Sequence, residues 1–320
     1  MKKILSILLV MIGAAPAMGW GFMAHRKINH QAVFSLPPEL FVFYKRHIRY
    51  ITENAVNPDQ RRYAVEWEAP RHFIDLDKYG DSAAHKLPRY WKEAAELYGE
   101  DTLNAHGIVP WHINRMYYQL KEAFENNDAR AILRLSADVG HYIADAHVPL
   151  HTTSNYNGQL TGQHGIHGFW ESRLPELFAE DYDFFVGKAD YLMNTQESAW
   201  QAVISGNEAL DSVLLFEKEL TMTYGDEKYS YEERGSAIVK TYNRNFSTRY
   251  HEALAGQVER QMQASIKLVA DMWYTCWVDA GQPDMGAIAG FEFSEKEKHE
   301  EEERKKSWLE AVIFGREHEH

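Results

Sequence analysis

The sequence has little of what many exported or nucleic-acid-binding proteins depend on. It holds one cysteine, Cys276, so the chain cannot form an internal disulfide. Basic residues number 34 against 47 acidic ones, and the net charge is −13. An acidic chain repels phosphate backbones and anionic lipids, which excludes non-specific electrostatic binding to either. A function on phosphates therefore needs positive charge from something other than lysine.

Long apolar runs are absent except at the beginning of the chain. Residues 1–19, MKKILSILLVMIGAAPAMG, join a basic start to an apolar run and end in a small-x-small pattern. The run is too short to span a bilayer as a helix, so we expect a cleaved secretory signal and a secreted or periplasmic protein. Linkers rich in Gly, Ser or Pro are also absent, which predicts one domain over residues 20–293. The mixed charge run that opens the tail, 294–320, predicts a solvated helix or a disordered end, to which we assign no function.

Strand signals are few, and helical periodicity dominates the chain. Apolar residues recur three or four apart in most segments, which predicts an all-α, multi-helix fold. The predicted helices cover residues 24–36, 112–126, 128–147, 196–217, 235–247 and 248–280. Gly281 and Pro283 are expected to stop the last helix.

Histidine and carboxylate are concentrated in HYIADAHVPLH, residues 141–151. His141 and Asp145 are four residues apart on the helix predicted over 128–147. That spacing places them on one face with Cβ atoms about 5–6 Å apart, so both side chains can bind one metal ion. Pro149 is expected to end the helix.

A second pair repeats this spacing in HGFWE, where His167 and Glu171 are also four residues apart. His151, in the loop that follows Pro149, is free to reach a second ion beside this pair. Zinc accepts such mixtures of imidazole and carboxylate. His147 faces elsewhere on its helix, and we interpret it as a capping or surface histidine.

Further candidate ligands lie upstream, in the segment DQRRYAVEWEAPRHFIDLD. It offers Asp59, His72, Asp75 and Asp77 on loops or short helices. Cleavage of the signal after residue 19 would expose the α-amine of Trp20, which a bound cation can deprotonate at modest cost.

These motifs resemble the zinc-dependent phospholipase C and single-strand-specific nuclease superfamily. Its members begin the mature chain with Trp and carry His-Tyr-x-x-Asp-x-x-x-Pro-x-His-x-x-x-Asn, followed by His-x-x-x-Asp/Glu. This chain reads HYIADAHVPLHTTSN and then HGFWE, and the matching motifs run from residue 20 to about residue 175. The resemblance implies an all-α hydrolase of phosphoric esters that uses three Zn²⁺ ions.

The resemblance also implies the ligands of each ion and the catalytic residues. The first zinc would be held by Asp59, His72, His141 and Asp145, the second by His151, His167 and Glu171, and the third by the amine and carbonyl of Trp20, by His25 and by the bridging carboxylate of Asp145. Asp59 is expected to orient or deprotonate the attacking water, and Asp145 is expected to bridge two ions. Three zinc ions outweigh three carboxylates, which would make the pocket locally cationic in an acidic protein.

Two substrates are compatible with this resemblance. In the nucleases, Phe73 would stack on a base of single-stranded nucleic acid or a nucleotide, Asp75 would contact that base, and Asn155 closes the central motif beside the substrate. In the bacterial phospholipases an acidic residue stands where this chain has Met23, which favours the nuclease over a phospholipase C acting on glycerophospholipids. The insertion 82–111 is expected to shape the cleft, and no stable protein partner is inferred. A secreted, non-catalytic zinc-binding protein is the third alternative.

Overall fold

A computed structural model describes residues 21–62, 64–234 and 237–310, and most of these residues are helical. The α-helices are α1 (Gly21–Ala32), α2 (Pro38–Arg46), α3 (Ile48–Glu53), α4 (Asn57–Arg61), α5 (Ala83–Lys86), α6 (Trp91–Tyr98), α7 (Glu100–His106), α8 (Val109–Glu125), α9 (Ala129–Ala146), α10 (Ile166–Gly168), α11 (Leu174–Phe178), α12 (Thr195–Tyr224), α13 (Arg244–Ala253), α14 (Gln257–Asp279), α15 (Met285–Ile288) and α16 (Glu295–Leu309). Single turns of 3₁₀-helix cover Val33–Ser35, Asn54–Val56, Ala69–His72, Leu76–Lys78, Pro149–Thr152 and Gly225–Lys228, and a π-helical turn covers Phe169–Arg173. The predicted all-α fold is confirmed.

Helix α9 is the central element of the core. Asp128 caps its first turn by accepting a hydrogen bond from the backbone N–H of Ala131 at 3.0 Å. Its residues are buried on almost every side, because α8, α14, α1 and α3 all pack against it. A helix surrounded in this way must bury polar residues as well as apolar ones, and Asp138, His141 and Asp145 follow one another at three- and four-residue intervals along one face.

Helix α14 fixes the other side of the core. The indole of Trp273 is fully buried, donates to the carbonyl of Ser136 on α9 at 3.2 Å and stacks on Tyr44 of α2 with ring centroids 4.8 Å apart. Burying an aromatic ring of this size contributes several kcal/mol, of order 3–5 kcal/mol by the cost of truncating one to alanine. These contacts join α2, α9 and α14 into one apolar cluster.

Two of the predicted helices are wrong. The segment 235–247 contains a strand, because β1 (Tyr229–Arg234) and β2 (Ala237–Tyr242) pair antiparallel, with Tyr229 opposite Tyr242. The run of β-branched residues in AIVKTY favours an extended chain over a helix, and this signal outweighs the apolar periodicity.

The single helix expected over 248–280 is also divided in the structure. Helix α13 ends at Ala253, and Ala255 and Gly256 both have positive φ, at 49° and 77°. A left-handed conformation at two consecutive residues cannot continue an α-helix, so α14 begins anew at Gln257. Its end at Asp279, before Gly281, agrees with the prediction.

The charged tail begins as an ordered helix. A capping box between Ser294 and Glu297 starts α16. The helix lies near α4, where Lys305 donates to Asn54 at 2.6 Å. Of the two expectations for the tail, the helix is confirmed for residues 295–309.

Several expectations fall outside the described part of the chain. The signal sequence 1–19, Trp20 and the last residues of the tail, 311–320, belong to this group. Within the described residues, no helix combines the length and the apolar character needed to cross a bilayer.

Candidate metal centre

The sequence pair His141 and Asp145 lies on one face of α9, as predicted. His141 Nε2 is 3.2 Å from Asp145 Oδ2, and both side chains are almost completely buried. Helix α9 ends at Ala146, three residues before Pro149, which places His151 on the following 3₁₀ turn. One helix end and the turn after it thus supply three of the expected ligands.

Helix α1 brings His25 onto this cluster by crossing α9 closely at Gly140. A Cβ atom on Gly140 would lie 2.0 Å from Asn29 Oδ1, so this position accepts only glycine without rearrangement. The amide of Asn29 then donates to the carbonyl of Ala137 at 3.0 Å. As a result, the ring of His25 stacks on that of His141, with centroids 4.0 Å apart.

The side chains that converge near α9 form a first group at one oxygen of Asp145. Oδ2 of that carboxylate is 2.8 Å from His72 Nδ1 and 3.2 Å from His141 Nε2. Asp59 Oδ1 lies 3.7 Å and 3.6 Å from the same two nitrogens. The four residues expected to hold one metal ion are therefore together.

The other oxygen of Asp145 faces a different set of side chains. Oδ1 is 3.4 Å from His25 Nε2 and 3.8 Å from His151 Nδ1. His25 also lies 3.5 Å from Glu171 Oε1. The two oxygens of Asp145 thus face different side chains, with His25 on the second oxygen, and this geometry is compatible with the predicted bridging role.

The second predicted pair completes another group. His167 Nε2 is 2.6 Å from Glu171 Oε2 and 3.1 Å from His151 Nε2. The pair spans α10 and the π-helical turn Phe169–Arg173, a distortion that frequently marks functional sites. A Cβ atom on Gly21 would lie 3.3 Å from Glu171 Oε1, so the first described residue borders this group.

The histidine ring nitrogens that face one another are suited to bind a metal ion. His141 Nδ1 lies 2.9 Å from the carbonyl of Ala55, and His151 Nδ1 lies 2.5 Å from that of His72. A carbonyl only accepts, so each Nδ1 carries the proton and the Nε2 of a neutral ring keeps its lone pair. This support of the second nitrogen is the usual arrangement around histidines that ligate metals.

Most of the separations are close to those of a shared ion, although His72 and Asp145, and His167 and Glu171, lie at hydrogen-bond distance. A tetrahedral zinc with bonds of about 2.0–2.2 Å holds its ligand atoms about 3.3–3.6 Å apart. Within the described residues, three sets of side chains have candidate ligand atoms within 4.8 Å of one another. The sets are His25, His141 and Asp145; Asp59, His72 and His141; and His151, His167 and Glu171. Buried groups of this composition could hold metal ions.

Electrostatics in the cluster favour a bound cation. Burial alone would lower the pKa of His141, yet the facing carboxylates of Asp145 and Asp59 outweigh it and hold that pKa well above its ordinary value. Burial also dominates at His72 and lowers its pKa to about 4, so this ring is neutral and keeps a lone pair. The buried carboxylates attract positive charge, and a metal ion supplies it without protonating the imidazoles that surround them.

Solvent reaches the cluster at its carboxylates. Asp59 exposes 21% of its side chain and Glu171 exposes 12%, whereas His72, His141 and Asp145 are at most 1% exposed. An ion in this cluster would therefore be open to water on the side of Asp59.

The residues expected to contact substrate are also buried, like the histidine ligands. Phe73 is 8% exposed, and its ring packs against Gly107 in the insertion 82–111. Asp75 is 1% exposed, and its backbone N–H donates to the carbonyl of His106 at 2.7 Å. Contact of either side chain with a substrate would need a movement of this insertion.

Asn155 holds its own loop together. Its Oδ1 accepts from the backbone N–H of Leu160 at 2.8 Å, and its Nδ2 donates to Thr161 at 3.1 Å. Asp77, the remaining upstream candidate, is not in the cluster and accepts from the backbone N–H of Ser154 at 2.7 Å. Both side chains therefore support the loop that follows His151.

Of the two positions expected for His147, capping or surface, the structure agrees with the first only. Its Nδ1 bonds the carbonyl of Ile143 in the last turn of α9 at 2.8 Å, which agrees with a capping role. The ring is only 5% exposed, however, and so it is not a surface residue. Burial lowers the pKa of His147 to about 4, and the ring lies outside the three sets of candidate ligands.

Two residues near the cluster were not predicted from the sequence. Glu68 is fully buried, with Oε1 3.8 Å from His72 Nε2, and the pair has the same i, i+4 spacing as the recognised ones. Tyr156 is half-buried, with its ring centroid 6.3 Å from that of His167. The spacing could have revealed Glu68, whereas nothing in the sequence distinguishes Tyr156 from the other tyrosines.

In comparisons with known proteins, no family model and no curated protein matches the chain. The predicted ligands that fall within the described residues nevertheless converge on one buried cluster.

Proposed function

We propose that this protein is an exported, zinc-dependent phosphodiesterase that hydrolyses single-stranded nucleic acid or nucleotides. The observation that carries the proposal is the bridging position of Asp145, whose two oxygens face two different sets of imidazoles. A purely structural zinc site closes its shell with four ligands around one ion. A shared carboxylate between neighbouring sets favours a cluster of ions with open positions instead.

The zinc ligands are assigned as the sequence motifs suggest. The first ion would be held by Asp59, His72, His141 and Asp145, the second by His151, His167 and Glu171, and the third by Trp20, His25 and Asp145. Trp20 is proposed from the motif, since it precedes the first described residue. The proximity of Gly21 to Glu171 supports this assignment, because Gly21 directly follows Trp20 in the sequence.

Zinc held in this cluster would supply Lewis acidity toward phosphoryl oxygens and would activate water at neutral pH. Asp59 is the residue that we propose to orient the water. His141 outweighs the effect of burial and lowers the pKa of Asp59, which is therefore ionised and able to accept a hydrogen bond at neutral pH. Its exposure on the solvent side of the cluster places this acceptor where water enters.

An unpaired base is the proposed specificity element. Stacking of a base on an aromatic side chain contributes about 1–3 kcal/mol and tolerates every sequence. Tyr156 supports this proposal, because its half-buried ring lies beside His167. A base paired within a duplex has no free face for such a contact, which favours single strands.

The test offers two substrates to the purified, zinc-loaded mature protein. We expect acid-soluble nucleotides to be released from single-stranded DNA or RNA and phosphatidylcholine vesicles to stay intact. Release of diacylglycerol with intact nucleic acid would instead establish the phospholipase C alternative. Loss of neither substrate, with zinc bound, would establish a non-catalytic zinc-binding protein.

A further inference from the structure

A second polar region adjoins the candidate metal centre along the same face of α9, because Asp138 and Tyr142 are three or four residues from His141 and Asp145. It is a cavity of about 320 Å³ bounded by α8, α9, α16 and the segment 57–71. Its volume is in the range of small-molecule sites. The side chains that α9 turns toward it include Arg134, Asp138 and Tyr142, whereas His141 and Asp145 point to the metal centre.

The charges that line this cavity are unbalanced. Five arginines face it, against the two carboxylates Glu68 and Asp138. Both carboxylates are already neutralised, because Arg61 lies 3.0 Å from each of them and Arg71 lies 2.6 Å from Glu68. The other three arginines of the lining are Arg115, Arg134 and Arg304.

No carboxylate of the described residues lies within 4 Å of the guanidinium group of any of these three arginines. Within the described residues, Arg115 and Arg134 make no ion pair or side-chain hydrogen bond, and the guanidinium of Arg304 contacts the ring of Trp308 at 5.8 Å. The chain as a whole carries a net charge of −13, so carboxylates are abundant elsewhere on its surface. The three side chains are exposed at the cavity, so solvent screens their mutual repulsion, and an anion between them would interact favourably with all three guanidinium groups.

The cavity also offers rings and an unused hydrogen-bonding atom. Tyr50, Tyr142 and Trp308 contribute aromatic surface to the lining. Nε2 of His112, a buried residue of the same lining, has no hydrogen-bond partner among the described residues. Guanidinium groups bind phosphate oxygens in a bidentate manner, and aromatic rings accept a flat organic body.

We propose that this cavity, which we call the arginine cavity, binds a small phosphate-bearing molecule. Arg115, Arg134 and Arg304 would bind the phosphate group, and the rings of Tyr50 and Trp308 would contact the rest of the ligand. Helix α16 then has a function, since it contributes both Arg304 and Trp308 to the wall. The proposal does not depend on the proposed hydrolase activity, because none of these residues belongs to the metal centre.

The test uses calorimetric titration of the zinc-loaded protein with three probes. They are inorganic phosphate, adenosine, and an adenosine 5′-phosphonate in which a methylene group replaces the ester oxygen and prevents hydrolysis. We expect the phosphonate to bind and adenosine not to bind. Tighter binding of the phosphonate than of phosphate identifies a phosphate ester as the ligand class, and equal binding identifies free phosphate.

Matched variants assign the binding to the cavity. The double variant Arg115→Gln and Arg134→Gln is expected to weaken binding of the phosphonate by at least about tenfold, because two charge-assisted contacts are removed. The control Arg46→Gln and Arg249→Gln removes the same charge from two exposed arginines outside the cavity, and it should bind like the wild type.

A third variant separates this site from the metal centre. His167→Ala removes a proposed zinc ligand and should leave binding in the arginine cavity unchanged. Equal binding by the cavity variant and the wild type would overturn the proposal, as would loss of all phosphonate binding in His167→Ala alone. Failure of all three probes to bind the zinc-loaded wild type would overturn it as well.

Discussion

Two neighbouring regions along α9 make opposite demands on a ligand. In one region, His141 and Asp145 join further imidazoles and carboxylates in a buried cluster that attracts positive charge. In the other region, Arg134 faces a cavity in which arginines outnumber carboxylates. Both regions are built on one helix of a protein with a net charge of −13, so the local balance of charge determines which ligand each region accepts.

One residue connects the two regions. Glu68 lies 3.0 Å from Arg61 on the side of the arginine cavity and 3.8 Å from Nε2 of His72 on the side of the metal centre. Despite its burial, the guanidinium groups of Arg61 and Arg71 lower the pKa of Glu68 to about 2, so the carboxylate is ionised. The hydroxyl of Tyr142 also donates to it. The charge difference between the two regions therefore depends on a shared carboxylate as well as on the residues that line each region.

The largest effect is expected from removing the charge at the bridging position. Asp145→Asn should lose two zinc ions and lower kcat/KM by at least about 10³-fold, because the Lewis-acid contribution is lost with the ions. Elemental analysis and nucleic-acid hydrolysis measure both effects. Asp138→Asn is the matched control, since it makes the same change at a buried residue of the same helix that lies outside the candidate ligand sets. If Asp138→Asn lost as many ions, the two regions would not be separate sites.

The next effect concerns the amino end of the mature chain. One additional residue before Trp20 should reduce the zinc content from three ions per chain to two, because the α-amine is moved away from its ion. Mass spectrometry of the intact protein gives the amino-terminal residue, and elemental analysis gives the count. An unchanged count would remove Trp20 from the ligands.

A smaller effect is expected from Glu68, the residue that connects the metal centre and the arginine cavity. Glu68→Gln should weaken zinc binding by about 10–100-fold, the usual loss when a carboxylate behind a ligating histidine is removed. Titration with a zinc chelator measures the affinity. Glu217→Gln, which alters another fully buried carboxylate in a pair with Lys228, should leave zinc affinity unchanged. Equal weakening in both variants would indicate a general loss of stability.

The smallest effect on activity is expected at His147. His147→Ala should keep the zinc content and kcat/KM within about twofold, because the ring is not among the candidate ligands, and should cost about 1–3 kcal/mol of unfolding free energy, because it is buried. Urea unfolding measures the second quantity. Loss of zinc in this variant would mean that His147 takes part in the metal centre.

The sequence predicts those parts of the molecule that depend on local spacing. His141 with Asp145 and His167 with Glu171 are each separated by one helical turn, and both pairs meet as expected. The helices around 112–126 and 128–147 were also predicted, because their apolar residues keep one period throughout. Spacing fixes geometry over one turn, and the metal centre is composed largely of such turns.

The remaining features depend on contacts between distant segments or on backbone conformation. The break between α13 and α14 arises from left-handed residues at 255 and 256, which the apolar pattern of 248–280 conceals. The arginine cavity takes Arg61, Arg115 and Arg304 from three different helices, with no regular spacing between them. Only the packing of α16 near α4 brings the last of these to the others.

The metal content of the mature protein tests the central claim most directly. Elemental analysis of the chain that begins at Trp20, purified without chelator and supplied with zinc, should give three zinc ions per chain. A count of zero, with the protein folded by circular dichroism, would contradict the account, because the converging imidazoles and carboxylates would then serve structure alone.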